Sequence, residues 1–232
     1  LKPGDGAERA WFHFANMALE VIAPSGDGPG GDRVRARLDA AGEGMWIAAL
    51  ASDDPAAEAH LVTRRGLATE PLATVTRVTV AGLDFVLTPG RGGPAPSAAL
   101  ADSAVAGLDH FVIHTPDPER AVANLAGRLG LDMRLDRENP RFGVRQLWFR
   151  IGDAVVEVAS KIGASAGDGP DRFGGLAWRV DDPEAVHARL SGEGFDISEL
   201  RPGRKPGTRV FTVRNAPGNV PTLVIQQNSE AA

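Results

Sequence analysis

The chain has 232 residues, no cysteine and a net formal charge of −5, with 43% apolar and 24% charged residues. That length exceeds one ordinary hydrophobic core and no apolar run is long enough to cross a bilayer, so two domains without a membrane span are expected. Scattered arginines on an acidic chain leave no footprint for a phosphate backbone, which argues against nucleic acid as a partner; Leu1 to Arg9 lacks a secretory pattern, and a cytoplasmic setting is the expectation.

In chain order, Trp11 to Val21 reads as a β-hairpin, followed by a turn at Gly26 to Pro29 and a connecting helix over Asp32 to Ala40. Met45 to Leu50 is a short apolar strand that delivers the chain into a helix. Asp54-Pro55 opens that helix over Ala56 to Arg65, because aspartate accepts hydrogen bonds from free amides at an N-cap and proline is tolerated in the first turn; Gly66 stops it. Thr76 to Val80 is another strand. The Pro, Gly and Ala-rich run from Pro89 to Ala106 has no sustained period and divides the chain into a first domain at 1–90, a linker at 91–106 and a second domain at 107–232. Leu108 to His114 then forms a strand, Asp117-Pro118 opens a helix over Glu119 to Leu129, and Trp148 to Val158 is a second hairpin. Leu176 to Val180, a helix from Asp182-Pro183 over Glu184 to Leu190, Thr208 to Val213 and Pro221 to Gln226 complete the series.

The two hairpins are copies. Trp11 and Glu20 match Trp148 and Glu157, each pair nine positions apart, and the Asp-Gly-Pro turns that follow match as well. Forty positions, including Leu108 to His114 and its helix, precede Trp148 in the second copy; ten precede Trp11. The first module is therefore expected to be incomplete at its N-terminal side.

Strand periodicity puts His110, Val112 and His114 on one face, and Val155, Glu157 and Ala159 on one face. A histidine and a carboxylate can thus converge. A glutamate inside Ala154 to Val158 is costly to bury unless paired or coordinating, and imidazole with carboxylate suits iron, manganese, nickel or zinc. Gln146, Trp148, Arg209 and Phe211 lie on strands whose phase the sequence does not fix, so they are substrate-binding candidates beside a plainer reading: Trp148 and Phe211 as core, Arg209 as a surface ion pair or a clamp for an anionic ligand group. The basic run Arg201 to Gly207 reads as a solvated loop or as a gate for an anionic ligand. His13, His60 and His187 read as structural or exposed.

Units of strand, helix and strands in this order, with Leu108-Asp109-His110-Phe111-Val112-Ile113-His114 as an opening strand and Gly152-Asp153-Ala154-Val155-Val156-Glu157-Val158 as a closing one, resemble the vicinal oxygen chelate superfamily of glyoxalases, bleomycin resistance proteins and extradiol dioxygenases. The resemblance implies an α+β fold of tandem βαβββ modules, forming two curved mixed-sheet domains with an open cup each. It implies His110 and Glu157 as metal ligands, Glu157 also as a catalytic residue, and Gln226 as a weak third ligand for a divalent ion. The chain departs from the pattern where Gly175 stands at the position matching His110, and where Pro221 to Gln226 carries no carboxylate. The ligand set is incomplete. The implied function is a metal-dependent lyase, isomerase or dioxygenase acting on a small oxygen-rich or aromatic metabolite in the second domain. The alternative is a metal-free small-molecule binding protein of the bleomycin-resistance type. A tandem duplication either replaces a dimer interface or sits beside one, so a homodimer stays open.

Overall fold

The computed structural model describes residues 4–90, 105–163, 167–203 and 206–226. Among the described residues four α-helices carry proline in their first turn: α1 (Pro29–Ala41), α2 (Pro55–Arg64), α3 (Pro118–Val122) and α4 (Pro183–Gly192). The Asp-Pro starts behave as expected. Asp54, Asp117 and Asp182 accept hydrogen bonds from the amides of Ala57, Arg120 and Ala185 at 2.9, 3.0 and 2.8 Å, each satisfying a donor that the helix cannot. Two helix boundaries differ from expectation by more than two residues. The connecting helix α1 begins at Pro29, earlier than Asp32, because the Gly-Pro turn itself supplies the first turn. The helix expected over Glu119 to Leu129 is α-helical only to Val122 and continues as a π-helical stretch, Ala123–Arg128, in which the Leu129 amide reaches back to the Asn124 carbonyl at 2.8 Å.

The strands of the second half are β7 (Val105–His114), β8 (Asp132–Asn139), β9 (Val144–Ile151), β10 (Ala154–Lys161), β11 (Arg172–Val180), β12 (Arg201–Pro202), β13 (Arg209–Val213) and β14 (Thr222–Gln226). They form one eight-stranded sheet in the order β12-β13-β14-β11-β7-β10-β9-β8. Each module contributes four neighbours, and the two opening strands, β7 and β11, meet antiparallel at the centre. Within each module the opening strand pairs parallel with the last, β7 with β10 and β11 with β14. This is the mixed sheet of two βαβββ modules.

The first half contains β1 (Ala7–His13), β2 (Ala18–Pro24), β3 (Ile47–Ala51), β4 (Ala68–Leu72), β5 (Val75–Val80) and β6 (Leu83–Thr88). Here β1 and β2 stand as a two-stranded sheet, apart from a four-stranded sheet in the order β3-β6-β5-β4. The physical reason lies in the repeat. In the second half β7 joins β10 to β11, and among the described residues the first half has no strand joining their counterparts β2 and β3. Both halves nevertheless bury one continuous core. Val62, Val78 and Phe85 of the first pack with Phe111, Ile113, Phe149, Val156 and Val158 of the second, and Phe173 stands edge-on to both Phe85 and Phe111 at 6.1 Å. Each large side chain so buried contributes about 1.5–3 kcal/mol. A smaller core under α4 holds Val180, Val186, Phe211, Val213 and Val224. Of the expected linker, 91–104 lie outside the described residues and Val105 and Ala106 already belong to β7; in the basic loop, Arg204 and Lys205 also lie outside the described residues. No helix among the described residues is long and apolar enough to cross a membrane.

Candidate functional site

Alternation along the central strands sorts side chains between the core and the opposite, cup-lining face. On β7, Phe111 and Ile113 enter the core, which turns His110, Val112 and His114 to the cup. On β10, Val156 and Val158 enter the core, which turns Val155, Glu157, Ala159 and Lys161 to the cup. Glu157 is the register partner of Val112 on one side and of Trp148 on the other. The cup floor therefore brings His110, Glu157, Trp148 and Gln146 together.

The polar centre is tightly connected. His110 Nε2 stands 3.5 Å from Glu157 Oε2, and its Nδ1 lies 2.7 Å from Asp109 Oδ1; the side chains of His110 and Glu157 are only 17% and 14% exposed. Gln146, fully buried, donates from Nε2 to Glu157 Oε1 at 2.5 Å. Arg179 in turn donates to Asp109 at 3.3 Å and to the carboxylate of Asp153 at 3.1 Å. Burial opposes the charge on Asp109, but the hydrogen bond and charge of His110, with those of Arg179, outweigh it and hold its carboxyl below the usual carboxylate range. An ionised Asp109 can only accept, so Nδ1 of His110 carries a proton, and Nε2 is the atom presented to Glu157. Without a proton on Nε2, that nitrogen and a carboxylate oxygen 3.5 Å apart would be two acceptors. A proton or a metal cation makes that contact favourable.

Asp109 and Arg179 are site residues that alternation alone misses, since adjacent strand residues point to opposite faces. The ladder shows why they join. His110 pairs with Ala177 and Leu108 with Trp178, leaving Asp109 as the extra residue of a β-bulge, which redirects its side chain toward that of His110. The first half braces the same place. Asn16, in the β1–β2 turn, accepts from the Leu108 amide at 2.9 Å and donates to the Leu108 carbonyl at 2.7 Å and to Asp153 at 3.0 Å.

The remaining expected site residues fall into two groups. Trp148 lies in the cup beside Glu157, with the Arg137 guanidinium 5.7 Å from its ring centre, and its buried indole N–H has no partner among the described residues. Gln146 and Trp148 thus join the pair. Arg209, Phe211 and Gln226 do not. Phe211 is fully buried in the core under α4, edge-on to His187 at 5.0 Å, and Arg209 on the same face is ion-paired to Glu184 of α4. Gln226 is the register partner of Val180, which belongs to that α4 core, so it sits on the face away from His110. The positions next to His110 on its other side are Ala177 and, beyond it, Leu223. Gly175 is closed as well: a Cβ there would stand 2.4 Å from the Pro221 carbonyl oxygen. Among the described residues no third His, Cys, Asp or Glu joins the pair.

The copy in the first half is chemically different. Trp11 faces Glu20 in the same register as Trp148 faces Glu157, but the position matching Gln146 is Arg9, whose Nε lies 3.1 Å from Glu20. A guanidinium stands against that glutamate, whereas the neutral amide of Gln146 stands against Glu157.

Comparison with known proteins agrees with this architecture. Residues 109–212 match the model of the Glyoxalase/Bleomycin resistance protein/Dioxygenase superfamily. A triple mutant of 4-hydroxymandelate synthase from Streptomyces coelicolor superimposes over 98% of this chain and 82% of its own, with a TM-score of 0.73 at 16% identity, which shows a shared fold. Methylmalonyl-CoA epimerase from Mycobacterium tuberculosis aligns with 56% of this chain and 93% of its own, with a TM-score of 0.46 at 23% identity. No curated protein matches the chain.

Proposed function

We propose that the chain is a small-molecule enzyme of the glyoxalase, bleomycin resistance protein and dioxygenase superfamily, whose model residues 109–212 match, with its reaction centre at His110 and Glu157. The observation that supports this reading is the 3.5 Å approach of His110 Nε2 to Glu157 Oε2, with each partner held from behind by Asp109 or Gln146. An imidazole whose other nitrogen is already oriented by a carboxylate is the usual state of a metal-ligating histidine. As donors, the two residues fit a divalent iron, manganese, nickel or zinc ion. Neither Ala177 nor Leu223 can add to them, so the rest of such a shell is left to water and to the substrate. When bound, the ion would supply Lewis acidity, stabilising negative charge that develops on substrate oxygens.

The chain's own residues have distinct tasks. Gln146 fixes the carboxylate of Glu157, Asp109 orients the imidazole of His110, and Nε2 is the atom presented to Glu157 and the cup. The unpartnered Trp148 N–H offers a donor to a ligand oxygen beside them. The substrate class is a small oxygen-rich or aromatic metabolite, and the reaction a lyase, isomerase or dioxygenase step.

A second reading, metal-free binding and sequestration, is favoured by the apolar Ala177 and Leu223 and by the closed position at Gly175. His110→Ala separates the two. In a panel of catechols, 1,2-dicarbonyls and hydroxy acids, the enzyme reading expects turnover to vanish in the variant while its circular dichroism is unchanged. Ligands that bind wild type and variant equally, without turnover in either, would replace it with sequestration.

A further inference from the structure

The cup continues beyond His110 and Glu157. Four residues further along β7 and β10 stand His114 and Lys161, on the same face and about 13 Å away at the rise of a strand. Between them and the β8–β9 turn lies a cleft of about 440 Å³, lined by His114, Phe142, Gly143, Val144, Ala159, Ser160 and Lys161. Its apolar side is prominent: Phe142, at 56% exposure, is among the few large apolar side chains that the fold leaves open.

The rim has the opposite character. His114, Lys161 and Arg172 are exposed, and none makes an ion pair or a side-chain hydrogen bond with a described residue. Arg172 is the cross-strand partner of His114. The imidazole of His114 lies over β11 in space that Gly174 leaves free, its Nε2 2.7 Å from where a Cβ would stand. Several other cationic side chains around this sheet find acids. Arg145 is paired to Asp136 and Glu119, Arg179 to Asp109 and Asp153, and Arg120 to Asp171. In a chain of net charge −5, His114 and Lys161 in an apolar cleft and Arg172 beside His114 on β11, none with a side-chain partner among the described residues, form a receptor for an anion attached to an apolar body.

We propose that this cleft binds the anionic end of an elongated amphiphilic substrate, a carboxylate held by Lys161 and Arg172 with its apolar segment against Phe142, Val144 and Ala159. The part of the molecule that reacts then reaches His110 and Glu157. The proposal deepens the functional reading above by naming the substrate class, but the binding step stands without any metal.

Octanoate and octanamide, alike in their apolar chain and different in charge, test it by isothermal titration into the full chain. Octanoate is expected to bind about tenfold tighter than octanamide. Lys161→Gln and Arg172→Gln are each expected to weaken octanoate about fivefold, the size of a partly exposed ion pair, while octanamide is unmoved; Phe142→Ala weakens both probes. Equal affinities for the two probes, a preference that survives both charge substitutions, or no binding of either would overturn the proposal. Near-ultraviolet circular dichroism confirms that the exposed substitutions leave the fold intact. Because octanoate is too short to span the cup, the outcome is independent of His110. A protein that prefers octanoate but fails the metal and turnover tests would retain this cleft and lose the enzyme reading, and the converse pattern would do the reverse.

Discussion

Glu157 and Glu20 hold the same place in two copied hairpins and have unlike surroundings, and the difference comes from single residues. At Glu20 burial pushes the carboxyl above its usual range, with Arg9 opposing that rise; at Glu157 a buried amide aligns the carboxylate without cancelling its charge. The glutamates themselves were legible in the sequence, because a charge inside an apolar strand calls for a partner. The identity of the partner was not, since Gln146 and Arg9 lie eleven residues away and meet their glutamates only through strand register. Asp109 is the clearest case for a pH test. Its folded carboxyl sits below the ordinary value of 3.8, so its stabilising contribution is complete above that value and is lost as the pH falls through the lower folded range. Asp109→Asn is expected to cost about 1–3 kcal/mol at neutral pH, the scale of hydrogen bonds to charged groups. In urea unfolding the gap between variant and wild type should narrow as the pH drops below 3.8. A gap that stays constant to acid pH would show that Asp109 acts through something other than its charge.

Among the elements, the three Asp-Pro helix starts and both hairpins follow from local chemistry, and each was legible for that reason. The bulge in β7 was not, because nothing in Leu108-Asp109-His110 distinguishes a regular strand from one with an extra residue; the irregularity arises from the antiparallel match with β11. The π-helical stretch after α3 likewise has no signal in Ala123 to Arg128. Phe211, Arg209 and Gln226 went to the α4 side for a phase that sequence cannot supply: residues two apart share a face, but which face is decided by the sheet's partner. Gly175 shows the reverse, a feature visible in sequence as a missing side chain whose reason appears only in packing. With the Pro221 carbonyl 2.4 Å from a hypothetical Cβ, Gly175→Ala forces β11 and the start of β14 apart. It is expected to cost about 1–3 kcal/mol, as overpacking does, read as a shift in the denaturant midpoint. A neutral substitution would mean that this junction is softer than its contacts imply.

At the scale of the molecule, the internal repeat announced two related halves but not how they would be joined. The two halves share one core, in which Phe173 touches Phe85 of the first and Phe111 of the second, and Asn16 of the first half pins the backbone of β7 beside the site. Phe173, partly buried against that core, is therefore expected on substitution by alanine to cost less than the roughly 3–5 kcal/mol of a fully buried phenylalanine and to lower one common unfolding transition; two separated transitions in calorimetry would argue for independent halves. The sequence reading expected an incomplete ligand set; in the structure His110 and Glu157 meet, with Gln146 behind them. Whether that pair holds an ion is the centre of the account, and metal content of the purified, dialysed protein measures it directly, by elemental analysis of wild type and Glu157→Ala after incubation with iron, manganese, nickel or zinc. The account predicts close to one divalent ion per wild-type chain and a loss of that ion in the variant. A wild type that retains none of the four metals, or a variant that retains as much as wild type, would contradict it.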